Sequence, residues 1–144
     1  MKRLILTLLI LFLPIFCLAE TRKVTDLRVS IIEQNKTAQY CNDSRLLNGC
    51  IHFPTRDIYI VHKDNFTMQF TLFHEIGHYL LYHDVPKGDA YKEELEADKF
   101  SEYMMCKKYL NVDVIINLFF TKEEINKFNK AFNKATKWAI QSNN

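Results

Sequence analysis

His74-Glu75-Ile76-Gly77-His78 is the stretch whose residue types and spacing could do chemistry. Two histidines four apart lie on the same side of a helix, one turn from each other, so both imidazoles can reach one point. Glu75 stands about 100° round the helix from His74. That offset takes it out of a ligand position and leaves it within reach of a water held there. Two neutral imidazoles and an adjacent carboxylate are the parts needed to hold zinc and activate a water for hydrolysis. Catalytic zinc takes three protein ligands and keeps a fourth position for water. The third ligand must therefore come from another element that faces this one.

The elements that would position such a site are two helices. Met68, Leu72, Phe73, Ile76 and Leu80 recur at three- and four-residue spacing, which predicts a helix over 66–83 with one apolar face. Asp64 or Asn65 caps its start. The polar, proline-containing segment 84–89 ends it, and a second helix is expected from about Ala90 to Leu110. The short connection makes the two helices antiparallel neighbours. The second helix carries Glu93-Glu94-Leu95-Glu96-Ala97-Asp98. Glu94 and Asp98 share one face. Glu94 can complete a His–His–Glu set, and Asp98 can accept the second ring proton of a ligating histidine and so fix its tautomer. Glu96 points to the opposite side. Glu93 remains the alternative third ligand.

The paired motifs, His74-Glu75-Ile76-Gly77-His78 and Glu94-Leu95-Glu96-Ala97-Asp98-Lys99-Phe100, resemble the gluzincin class of zinc metallopeptidases. They are most similar to the ImmA/IrrE-type family, whose second motif has a Glu-x-Glu-Ala-Asn/Asp-x-Phe form. The resemblance covers about residues 50–110. It implies His74, His78 and Glu94 as ligands to one Zn2+ per chain, Glu75 as the catalytic glutamate, and a zincin-like core of a small sheet followed by helices. Two features depart from the family pattern. The second helix continues as Met104-Met105-Cys106-Lys107 without the proline that members often carry, and the chain reads as exported whereas members are commonly cytoplasmic.

That export reading comes from the first nineteen residues. Lys2 and Arg3 precede an apolar run from Leu4 to Phe16, and Cys17-Leu18-Ala19 offers a cleavage site before Glu20. This is the pattern of a secretory signal peptide, its apolar core short for a spanning helix. An uncleaved anchor is the alternative, and bulky Phe16 argues against lipid attachment at Cys17. Residues 20–144 then form a single domain with no stable membrane insertion, in a periplasmic or secreted location. Loss of Lys2 and Arg3 takes the formal net charge of +2 to zero, which argues against a nucleic-acid partner. Cys41 and Cys50 bracket a turn-prone polar stretch, and in an oxidising compartment they are candidate disulfide partners. Cys106 reads as a free core thiol.

The remainder predicts an α+β chain, with about three strands ahead of about four helices that carry the metal site. Leu27, Val29 and Ile31 alternate with Arg28, Ser30 and Ile32 as a half-buried strand. Residues 50–53 and 58–62 read as a hairpin across Pro54-Thr55-Arg56-Asp57. Residues 37–47 read as either a short helix or an irregular loop. A short apolar helix is expected over 111–120. Thr121 and Glu124 form a capping box at the start of the last helix. His83 reads as a cap at the helix end, with an approach to the metal or a substrate as the alternative, and His52 and His62 as surface or rim residues. Tyr79, Tyr82, Tyr91 and Tyr103 include candidate oxyanion donors. The expected activity is hydrolysis of a peptide or protein substrate, with Glu75 as general base. The alternative is an inactive zincin-like domain that binds zinc and cleaves nothing.

Overall fold

The run Asp57-Ile58-Tyr59-Ile60-Val61 is β-branched and aromatic, a composition that fits a pleated, buried surface. It forms the middle strand of a small mixed sheet. The computed structural model describes residues 22–41, 47–84, 89–110, 116 and 119–141. Strands β1 (Arg28–Ile32), β2 (Gly49–His52) and β3 (Asp57–Val61) lie in the order β1-β3-β2. β1 runs parallel to β3, and β2 pairs with it antiparallel, with Cys50 opposite Tyr59. Among the described residues four α-helices accompany the sheet: α1 (Thr37–Cys41), α2 (Asn65–Leu80), α3 (Ala90–Leu110) and α4 (Lys122–Gln141). The architecture is α+β. The signal segment 1–19 lies outside the described residues, as does most of the helix expected over 111–120, of which Ile116, Phe119 and Phe120 are described.

Helix α2 starts where Asp64 accepts a hydrogen bond from the Thr67 backbone N–H at 2.9 Å, a side-chain cap of the usual kind. It ends at Leu80, three residues before the expected boundary. The ending is a Schellman motif. The N–H of Tyr82 donates to Tyr79 O and that of His83 to His78 O, while Tyr82 adopts a left-handed φ of 63°. Glycine normally holds that position, and another L-residue there costs about 1–2 kcal/mol. No glycine marks the stop in the sequence, so apolar periodicity overran it.

Register between α2 and α3 follows from small residues. Ala97 and Phe100 pack against Gly77, and Ser101 donates to Phe70 O at 2.6 Å. With Asp98 facing His74 as well, the two helices run antiparallel. Tyr79, Leu80, Phe100, Tyr103, Phe120 and Phe128 form the main core cluster, and Cys106 packs against it as a free thiol. At the start of α4 the capping box is closed in both directions. Thr121 N donates to Glu124 Oε2 at 2.9 Å, and Glu124 N to Thr121 Oγ1 at 3.2 Å.

The alternation read in β1 needs correction. Ile32 is its buried residue, whereas Val29 and Ile31 are 50% and 62% exposed. β1 is an edge strand, and α2 packs over β2 and β3, so the inward-facing residues of β1 overhang the core. The hairpin is displaced by one residue. Its four-residue connection is 53–56, closed by Arg56 N donating to His52 O at 2.8 Å.

Two features pin β2 in place. A Cβ on Gly49 would stand 2.7 Å from the Thr71 methyl and 2.8 Å from Tyr59 O, so β2 approaches α2 more closely than any side chain permits. Gly49→Ala should lower stability by about 1–3 kcal/mol, read as an earlier urea transition; an unchanged midpoint would show that β2 moves off α2 freely. A Cys41–Cys50 disulfide ties α1 to β2. Closing a loop of this size should stabilise by about 2–3 kcal/mol on the chain-entropy account. Urea unfolding with and without reductant measures it, and coincident curves would contradict it.

Candidate metal centre

The buried positions of α2 are not confined to its apolar stripe. Glu75 and His78 are 6% and 9% exposed, so the helix turns polar residues into the space between the sheet and α3. His74 and His78 project from successive turns with ring centroids 4.6 Å apart. Their Nε2 atoms are 2.9 Å from each other. Glu94 arrives from α3, its Oε2 3.3 Å from His74 Nε2 and its Oε1 3.5 Å from His78 Nε2. Ligand atoms around a tetrahedral ion with bonds of about 2.0–2.1 Å stand roughly 3.3 Å apart. The donor set matches, and this group is able to hold a metal ion.

The outer ring nitrogens set the proton positions. His74 Nδ1 lies 2.8 Å from Asp98 Oδ1. A carboxylate accepts, so His74 carries its proton on Nδ1 and turns the Nε2 lone pair inward. His78 Nδ1 lies 2.9 Å from His83 Nδ1. Burial, then the neighbouring His74 and His83, push the pKa of His78 down to about 3. Its ring is neutral, as a ligand must be.

Glu75 contributes no atom to the ligand cluster but lines the same cleft of about 450 Å³. Burial, reinforced by the Glu94 charge, pushes its carboxyl up to about 8. Such a group is a far stronger base than an exposed carboxylate, and a cation beside Glu94 would offset the part of the rise that Glu94 causes. Glu93 also lines the cleft, but the structure brings Glu94 and not Glu93 to the histidines. Glu93 Oε1 is buried without a hydrogen-bond partner among the described residues.

None of Tyr79, Tyr82, Tyr91 and Tyr103 lines this cleft. Tyr79 and Tyr103 belong to the core, the Tyr82 ring lies under the Arg22 guanidinium, and Tyr91 is exposed. His52 and His62 are exposed. His83 lies at the helix end, where its N–H donates to His78 O, and its buried ring reaches Glu96, with its Nε2 3.3 Å from Glu96 Oε2. Sequence reasoning missed that contact, because the turn folds His83 back onto α2. Burial raises the Glu96 carboxyl, but the hydrogen bond and charge of Lys127, with His83, outweigh it and leave the pKa lowered. Compared with family models, curated proteins and solved structures, the chain matches none.

Proposed function

We propose that this chain is an exported zinc metallopeptidase with a zincin-like core, in which His74, His78 and Glu94 hold one Zn2+ and Glu75 is the general base. The observation that carries this reading is the convergence of His74 Nε2, His78 Nε2 and a Glu94 oxygen on one point, beside a buried carboxyl that is not a ligand. Two imidazoles and one carboxylate suit zinc, and three protein ligands leave a coordination position open for chemistry. Zinc there would polarise a peptide carbonyl and ease deprotonation of a water.

The residues of the chain do the rest. Asp98 holds His74 in its ligating tautomer. Glu75 takes the proton from the attacking water and passes it to the departing amine. β2 stands at the sheet edge, and Gly49, Cys50 and Ile51 line the cleft. An extended peptide can add to that edge as a further strand, its side chains beside Phe53 and Phe70. The 16% and 11% side-chain exposure of His74 and His78, against 61% for Glu94, supports entry from the Glu94 side.

The disulfide supports an oxidising, periplasmic or secreted location after removal of residues 1–19. The test is digestion of an unbiased peptide library by zinc-loaded protein, with products read by mass spectrometry. Cleavage that a chelator abolishes and zinc restores is expected. A fully loaded protein that cleaves nothing would instead be a zinc-binding domain without activity.

A further inference from the structure

His83 is buried, its side chain 1% exposed, and neither the ligand set nor the proposed base makes use of it. Its place follows from how α2 ends. In a Schellman ending the chain turns back so that the second residue past the cap meets the residue three before it. Here those residues are His83 and His78, with ring centroids 5.0 Å apart. The turn is held in its left-handed form by aromatic and charged contacts. The Arg22 guanidinium sits 4.2 Å from the Tyr82 ring centroid, pairs with Asp84, and donates to Tyr79 O at 2.6 Å.

Proton positions along this line are determined by its far end. Lys127 on α4 stands 2.8 Å from Glu96 Oε1. A carboxylate only accepts, so the 3.3 Å contact of Glu96 Oε2 with His83 Nε2 places a proton on that nitrogen. A neutral His83 then has its lone pair on Nδ1, 2.9 Å from His78 Nδ1. His78 must donate there, and its own lone pair is left on Nε2, the atom facing His74 and Glu94.

We infer that His83 and Glu96 form a hydrogen-bond relay, anchored by Lys127, that fixes His78 in the tautomer able to bind metal through Nε2. The two histidines are thus oriented by different devices, His74 directly by Asp98 and His78 at one remove through a second imidazole. His83 is a positioning residue. The relay also connects α4, which carries no ligand, to the metal position. This inference rests on the metal reading above, and two readouts separate their failures.

The variants are His83→Phe, which removes both ring nitrogens at similar size, His83→Gln, whose amide oxygen can still accept from His78, and Glu96→Ala. The first readout is imidazole ¹⁵N–¹H NMR of metal-free protein. His78 should be protonated on Nδ1 in the wild type and His83→Gln, and shift towards Nε2 protonation in His83→Phe and Glu96→Ala. The second is zinc affinity by chelator competition, expected to fall about 10–100-fold in His83→Phe and Glu96→Ala and to be largely retained in His83→Gln. Should His83→Phe fail to fold, Glu96→Ala, at a partly exposed position, carries the test.

An unchanged His78 tautomer in folded Glu96→Ala would overturn the relay. A changed tautomer with unchanged zinc affinity would overturn its role toward the metal. A wild type that binds no zinc would sink the metal reading itself, and the NMR comparison would still decide the relay.

Discussion

Glu75→Gln should leave zinc and fold in place and cut peptide hydrolysis by at least about 10²–10⁴-fold, the loss typical of a removed general base. The substitution is nearly isosteric, which matters at a residue only 6% exposed. It removes no ligand, since the cluster consists of His74, His78 and Glu94. It also introduces no buried charge. What is lost is the ability to take a proton from water. The comparison is steady-state cleavage by wild type and variant at equal zinc content. Equal rates would mean that another group handles the proton, or that a contaminating protease is at work.

His74→Ala and Glu94→Ala should each lower zinc affinity by well over 100-fold, because loss of a mere supporting partner already costs about 10–100-fold. The two variants differ in what they leave behind. His74→Ala strands Asp98, which is half exposed and can turn to water. Glu94→Ala removes an exposed side chain and should scarcely alter the stability of the metal-free protein. Glu93→Ala is the control, because Glu93 lines the cleft without joining the cluster. Full zinc retention in Glu94→Ala together with loss in Glu93→Ala would reverse the assignment of the third ligand.

Much of this arrangement was legible in local patterns. The spacing of His74 and His78, the pairing of Glu94 with Asp98 on one helical face, the Asp64 cap and the Thr121–Glu124 box all depend on neighbours within one turn, and the structure places each of these side chains on the helix where that spacing put it. The Cys41–Cys50 disulfide was likewise readable from a short turn-prone loop.

What was not legible depends on contacts between distant segments or on backbone conformations without a residue signature. The parallel pairing of β1 with β3 joins residues nearly thirty positions apart, and only that pairing shows that Val29 and Ile31 overhang the core. The end of α2 turns on Tyr82 taking a conformation that glycine or asparagine usually marks. Once that turn is known, the positions of His83 and Glu96 follow. From spacing alone, five residues separate His78 from His83, a distance that on a continuous helix would put their rings on different sides.

X-ray absorption of the zinc-loaded protein, with elemental analysis of the same sample, tests the central claim most directly. About one zinc per chain is expected, with a first shell of nitrogen and oxygen near 2.0–2.1 Å and imidazole scattering from two histidines. A sulfur shell near 2.3 Å would place the metal at the free thiol of Cys106, and folded protein that takes up no zinc would contradict the centre altogether.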